Sequence, residues 1–499
     1  MAQAPSILFI MCDQLRADAI GAYGNGLVRT PNLNRLARRG LLCTQAYSTC
    51  PVCMPARYTI RTGREPYHTG YYDNGGLHLS ESQPADPEAR CGDYLPRTMR
   101  KLGYRTFGVG KFHTAPWNEE LGYEAQLRSE ELWNTAEQRE GDDYVRFIQE
   151  RHPEYGHLEQ LHGERTEMYY MPQTSPLPAE LTVEAWAADR AVEFIDAAED
   201  DERPYFGFVS FIGPHPPLAP PIPFNRMYNP DAMPNPVRGD RETDWMDEQL
   251  PWMNHLIWAE DIDDPRARAL KARYYGEITY IDQCLGRVLD AVERRPDADN
   301  TLICFFSDHG DHMGDHHAWQ KESFFEASAR VPFLISWPSQ LPRGEERDDL
   351  LCLTDLFAIA TGAAGRLEER DGIDALGSLT GSAKPRERLF GWYGQPGEPT
   401  FKVMVRDPEW KYIYMANGGR EQLFHLREDP NELRELASFL PDVAARLRQA
   451  AREEMAKHEA LAPALADGDL RSFPFRAREL TRIRQFDLSR GVADFTING

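Results

Sequence analysis

Short apolar runs that stop abruptly at charged or amide side chains constrain this chain most. Ile7 to Met11 leads into Asp13-Gln14, Thr106 to Gly110 into Lys111 and His113, and Thr301 to Ser307 into Asp308-His309. Tyr205 to Phe211 and Val331 to Ser336 are two further runs of strand length. Between them lie stretches with helical periodicity, Pro31 to Arg39, Val183 to Ala198, Ala267 to Arg294 and Asp355 to Ala360. Strand-length runs alternating with amphipathic stretches predict an α/β fold, a sheet covered by helices. In open sheets of that kind ligands sit just beyond the carboxyl ends of strands, where these polar residues fall.

From about Arg388 the texture changes to aromatic-rich strand candidates, Leu389 to Tyr393, Phe401 to Arg406 and Lys411 to Met415, followed by a polar turn and a terminal helical stretch. The expected division is a catalytic domain over 1–385 and a smaller C-terminal α+β domain over 386–499, with an antiparallel sheet, a helix and a tail. Two aperiodic stretches, Trp117 to Pro178 and Pro214 to Asp264, read as long insertions that serve as lids or pocket walls, as does the tail after Phe473. The formal net charge of -23 argues against nucleic-acid binding, and it means that an anionic substrate needs a locally basic pocket. No apolar run reaches the roughly 18 residues of a membrane span. Eight cysteines in 499 residues are too sparse for a disulfide scaffold. Met1 to Pro5 carries neither a basic start nor a cleavage site, so a cytoplasmic protein with reduced thiols is expected.

Cys53-Met54-Pro55-Ala56-Arg57, with Thr62-Gly63-Arg64 after it, places a thiol where a helix begins and brings Arg57 back one turn later. That is an anion-binding corner holding a reactive atom; its bland reading is a buried structural cysteine. Asp13, Gln14, Asp308 and His309 offer two carboxylates, an amide oxygen and an imidazole. Hard divalent cations favour the oxygens, and the histidine tilts the choice towards manganese. Unrelated strand-end turns are the alternative. Histidines and aspartates crowd Asp308 to His317, which suggests a two-metal phosphatase, but ligands for a second ion are not evident, and orientation of the loop is the preferred reading.

These residues resemble the type I sulfatases of the alkaline phosphatase superfamily, whose Cys-x-Pro-Ser/Ala-Arg run with a following Thr-Gly-Arg has its cysteine oxidised to formylglycine. Gly110-Lys111-Phe112-His113 is similar to the family's Gly-Lys-x-His element, and His215 in Gly213-Pro214-His215-Pro216-Pro217 to the histidine after its central strand. Lys321, near the start of an expected helix, resembles the lysine that contacts the sulfate group. Trp410 to Ile413, Glu421 to Leu426 and Glu428 to Glu432 resemble the family's closing segment, itself read as a hairpin with an Asp-Pro turn. The usual Asp-Asp and Asp-Asn pairs are here Asp13-Gln14 and Asp308-His309, as in choline-sulfatase-like members and the related phosphonate monoester hydrolases.

The resemblance implies a large, mixed, mostly parallel sheet sandwiched by helices. It implies a catalytic set of Cys53, Arg57, Lys111, His113, His215 and Lys321, and one divalent ion, Ca2+ or Mn2+, on Asp13, Gln14, residue 53, Asp308 and His309. Asn74, Lys111, His215 and Lys321 would bind the substrate, a small-molecule sulfate ester. The geminal diol at position 53 would attack sulfur, His113 would take a proton from its second hydroxyl, and His215 would serve the leaving oxygen. Expected partners are that ester and a formylglycine-generating or equivalent maturation enzyme, with no nucleic acid or membrane; a homo-oligomer is allowed for. The leading function is a sulfatase. A phosphonate monoester or phosphodiester hydrolase of the same superfamily is the alternative suggested by Asn74, Gln14 and His309, whereas Lys111 and His113 favour sulfate. A non-catalytic binding homologue is the third reading, against which the intact Cys53, Arg57, Lys111 and Lys321 speak.

Overall fold

In the computed structural model, which describes residues 4–74, 87–131, 133, 135–156, 170–257 and 262–479, the apolar runs pair into a nine-stranded sheet. Its strands are β1 (Ser6–Cys12), β2 (Leu41–Tyr47), β3 (Arg105–Gly110), β4 (Ala125–Arg128), β5 (Tyr205–Phe211), β6 (Thr301–Ser307), β7 (Arg330–Ser336), β8 (Glu345–Arg347) and β9 (Leu351–Cys352). The order across the sheet is β4-β3-β5-β1-β6-β7-β2-β8, with β9 beside β2. The first five run parallel, and β7 lies antiparallel between β6 and β2. The expectation of a mixed, mostly parallel sheet is met.

Every residue of β1, β5 and β6 is buried, which is why these strands read as unbroken apolar runs. Side chains alternate between the faces. Leu8, Ile10, Val209 and Phe305 pack under the helices Val183–Asp196 and Asp264–Arg294; Ile7, Phe9, Phe206 and Phe306 face the layer holding the helices Cys53–Thr62 and Asp355–Ala363. At roughly 1.5–3 kcal/mol for each fully buried large apolar side chain, this central layer fixes the strand register on which the site depends. Five parallel strands thus end on one edge.

A second sheet follows, β10 (Leu389–Tyr393), β11 (Lys402–Arg406), β12 (Trp410–Met415) and β13 (Arg420–His425), antiparallel in chain order. The helix Pro441–Met455 covers one face through Ala444, Leu447 and Ala451. The other face, Met404, Ile413 and Phe424, packs on Tyr47, Cys352, Phe324 and Phe325. Lys411 Nζ donates to the Phe324 carbonyl at 2.7 Å and to Glu432 Oε1 at 2.8 Å, both buried. The closing segment therefore braces the chain just after Lys321. Its Asp429-Pro430 lies beyond the hairpin β12–β13, which turns at 416–419.

Two local readings differ from expectation. The stretch Trp117 to Pro178 carries order: β4 and the helix Asp143–Arg151, capped by the Asp142 side chain, which accepts from the backbone N–H groups of Tyr144 and Val145. Lys321 sits in a tight loop, and the helix that follows, Glu326–Ala329, is four residues long. Gln320 and Glu322 flank Lys321 with φ of 76° and 73°. The Glu322 N–H goes to the Pro51 carbonyl at 3.1 Å and its own carbonyl accepts from Lys402 Nζ at 2.8 Å, so tertiary partners take the groups a helix would have paired. Parts of the expected pocket walls, 157–169, 258–261 and the tail from 480, lie outside the described residues.

Candidate active site

Each parallel strand delivers a polar side chain just past its carboxyl end. Across the sheet these are Glu131 after β4, Lys111 after β3, His215 after β5, Asp13 after β1 and Asp308 after β6. Gly110 makes the Lys111 placement feasible, because its φ is 102° and a Cβ there would lie 1.9 Å from the Ser210 carbonyl oxygen. Opposite them starts the helix Cys53–Thr62, with Cys53 as its first residue and Val52 as its cap. The N-cap side chain offers no acceptor; instead Asn74 Oδ1 accepts the Met54 N–H at 3.0 Å. Asn74 thus holds the backbone that carries Cys53. Gly63, at φ 63°, ends the helix, its N–H bonded to the Thr59 carbonyl at 2.8 Å, and Arg64 pairs with Asp371 at 2.7 Å, which accounts for the Thr-Gly-Arg run.

Asp13, Cys53, Asp308 and His309 bring one ligand atom each to within 4.8 Å of one another, the one such cluster among the described residues, and all four are 0% exposed. His309 Nδ1 lies 2.9 Å from the Gly310 carbonyl, so it carries the proton and Nε2 turns a lone pair into the cluster, the tautomer a cation needs. The donor set fits a hard divalent ion. Gln14, at φ 63°, directs Oε1 to Lys321 Nζ at 2.7 Å and Nε2 to Asp311 at 2.6 Å. Lys321 Nζ also reaches Cys53 Sγ at 3.2 Å, so Gln14 Oε1 borders the cluster.

Arg57 ties the outer oxygens together. It donates to Asp13 Oδ2 at 2.8 Å, Asp308 Oδ2 at 3.2 Å, the Lys111 carbonyl at 2.5 Å and Ser210 Oγ at 3.1 Å. Lys111 Nζ bonds Asp13 Oδ2 at 2.5 Å and also Glu131. Burial pushes Asp13 up, but Lys111, His215 and Arg57 hold it at about 2. Asp308 is driven up by burial and by the charge of Asp13. For Cys53, burial favours the thiol, yet Lys111, Lys321 and His309, with a hydrogen bond from His113, bring it well below the usual range. A chain of net charge -23 has collected three cations around one sulfur and sealed them from water. Such a corner stabilises negative charge far better than solvent does.

The histidines separate by role. His113, at φ 50°, is anchored by its own N–H on Glu130 at 3.0 Å and turns its ring to Cys53. His215 Nδ1 lies 2.9 Å from the Pro216 carbonyl and Nε2 3.0 Å from Glu131 Oε2. His312 bonds Ser323 at 2.7 Å, His316 stacks on Phe325 and bonds Asp244 at 3.0 Å, and Asp315 takes Arg16 at 2.7 Å, so this run shapes the loop, as expected. The insertion Pro214 to Asp264 supplies Asp244 and the other supplies Tyr170, whose hydroxyl donates to Asp311 at 2.5 Å. Asp13, Gln14, Cys53, Arg57, Lys111, His113, His215, Asp308, His309 and Lys321 meet here, whereas Asn74, expected to bind substrate, accepts the Met54 N–H. Glu131 was missed, because β4 is four residues of mixed polarity and has no apolar run to mark where it ends.

Comparison with known proteins agrees with this geometry. The sulfatase family model matches residues 5–365, and the chain belongs to that family. It is 30% identical to the arylsulfatase of Clostridium perfringens over 87% of this chain and 90% of that one. It is also 30% identical to the choline-sulfatase of Rhizobium meliloti, over 87% and 82%. Among solved structures, the phosphonate monoester hydrolase of Agrobacterium radiobacter superposes with a TM-score of 0.76 at 26% identity, covering 94% of this chain and 99% of that one. The protein is a sulfuric ester hydrolase of the alkaline phosphatase superfamily.

Proposed function

We propose that the protein hydrolyses the sulfate monoester of a small organic molecule or sugar, with residue 53 converted to formylglycine by a maturation enzyme and one divalent cation on Asp13, Gln14, Asp308 and His309. The observation that carries this reading is the meeting of Cys53 with Arg57, Lys111 and Lys321 in a buried corner. When present, the hydrated aldehyde supplies a nucleophilic hydroxyl and the cation lowers its pKa. Lys111 and Lys321 then neutralise the sulfuryl oxygens, and Arg57 fixes the two aspartates. His113 stands beside position 53, suited to accept a proton there; His215 stands on the far side of Lys111, suited to the leaving oxygen. Two carboxylates and an amide oxygen suit Ca2+ or Mn2+, and the imidazole favours Mn2+.

Free, buried cysteines support a reducing compartment, the cytoplasm. The likeness to a phosphonate monoester hydrolase favours a second reading, side activity on phosphonate monoesters, which the Lys111 and His113 pair makes subordinate. The test is a panel of choline, aryl and sugar sulfates beside a phenylphosphonate monoester, with released anion quantified. Turnover of sulfates above the phosphonate is expected; turnover of the phosphonate alone overturns the reading.

A further inference from the structure

A cavity of about 300 Å³ borders the chain just after Gln14, and none of the catalytic set lines it. Its charged lining residues are Arg16, Asp18, Lys271 and Asp315. Arg16 is fully committed: it pairs with Asp18 Oδ2 at 2.6 Å and Asp315 Oδ2 at 2.7 Å, and donates to the Asp311 and His312 carbonyls. The second Asp18 oxygen accepts from Arg16 Nε at 2.7 Å, and the second Asp315 oxygen accepts the Val237 N–H at 2.8 Å. Both carboxylates therefore have their donors.

Lys271 has no such match. It is 8% exposed, lines the cavity, and donates to no acceptor among the described residues. Burial, the largest influence on it, lowers its pKa below the ordinary lysine value. Tyr275 stands four residues on in the helix Asp264–Arg294, on the same helix face and in the same cavity wall. Its hydroxyl accepts from Asn25 Nδ2 at 3.0 Å, and its own proton goes to no acceptor among the described residues. The recess thus holds two buried donors left over beside carboxylates already satisfied. Buried donors of this kind cost stability until an acceptor takes them.

We propose that this cavity binds the carboxylate of a small aliphatic acid, held by Lys271 Nζ and the Tyr275 hydroxyl. A single negative charge fits, because Asp18 and Asp315 share the lining and would repel a dianion such as sulfate or a phosphate ester. Ala19, Leu27, Pro234 and Met313 supply apolar wall, which suits a hydrocarbon chain. The site is joined to the catalytic loop through Tyr274, also in the lining, whose hydroxyl donates to the Gln14 carbonyl at 2.8 Å and accepts the Arg16 N–H at 3.0 Å. This binding does not depend on the sulfatase reading.

The test is calorimetric titration of the full chain with hexanoate, in buffer with and without inorganic sulfate. Wild-type protein should bind hexanoate, and sulfate should leave the Kd unchanged. Lys271→Met should weaken binding about tenfold or more, and Tyr275→Phe about threefold or more. Reductive methylation of wild-type protein, mapped by peptide mass spectrometry, reads the same site without a variant. Saturating hexanoate should slow labelling of Lys271 about fivefold or more while leaving the exposed Lys384 unaffected. No binding of hexanoate, equal binding by Lys271→Met, or unprotected Lys271 overturns the proposal. Displacement of hexanoate by sulfate also overturns it, since the carboxylate would then occupy the catalytic corner. None of these results bears on turnover of sulfate esters, which tests the sulfatase reading separately.

Discussion

Asp308 and His309 show how burial and neighbouring charge tune individual residues. Burial and the neighbouring Asp13 raise Asp308; burial lowers His309, but Asp308 and Cys53 outweigh it, so that His309 too is raised. Both therefore hold protons more readily than usual, and protons compete with a cation for the same lone pairs. Cation affinity should fall as pH falls, measured by calorimetric titration with Mn2+ at two pH values on either side of neutrality. Asp308→Asn should remove measurable binding at either. Unchanged affinity in that variant would mean the ion sits elsewhere.

At the scale of elements, the catalytic helix is held by its ends. Gly63→Ala puts a Cβ at φ 63° and 2.6 Å from Phe357 Cβ, so about 1–2 kcal/mol of backbone strain is joined by overpacking, and the denaturation midpoint should drop accordingly. Just beyond, burial pushes the Glu65 carboxyl up to about 8 from its ordinary 4.5. Because the folded pKa is raised, this group favours the native state fully below about 4.5, and that contribution disappears as pH climbs through about 8. At roughly 1.4 kcal/mol per unit, the change is on the order of 5 kcal/mol at most. Glu65→Gln, which cannot ionise, should flatten the dependence of urea stability on pH over that window; an unaltered pH slope would contradict it. The elements legible in the sequence were those with one dominant signal. β1, β5 and β6 are apolar because both their faces are covered, and the helix at Cys53 announces itself through its first turn. β2 was hidden by its Thr44-Gln45 interruption, where pairing with β7 slips in a bulge, and β4 by its brevity. Lys321 was placed on a helix because its neighbours have the composition of one; the loop exists because distant groups, Pro51 and Lys402, take its hydrogen bonds.

For the whole molecule, the sheet supplies the logic and the smaller sheet supplies rigidity. Five parallel strands hold Glu131, Lys111, His215, Asp13 and Asp308 in a row; the helix N-terminus brings Cys53 to them; β10–β13 press the Lys321 loop against them. An acidic protein thereby gathers Arg57, Lys111 and Lys321 in its interior, balanced by Asp13, Asp308 and Glu131. Asp13, Lys111, Asp308 and Cys53 were readable in one dimension because each follows a strand or opens a helix, and Glu131 was not, since only the assembled sheet reveals that β4 ends beside β3. The most direct measurement of the account is peptide mass spectrometry across residue 53 of active protein, paired with sulfate release by Cys53→Ala. The account predicts the formylglycine mass in the active preparation and no turnover by the variant. An active preparation carrying only an intact thiol, or undiminished turnover with alanine at position 53, would contradict it.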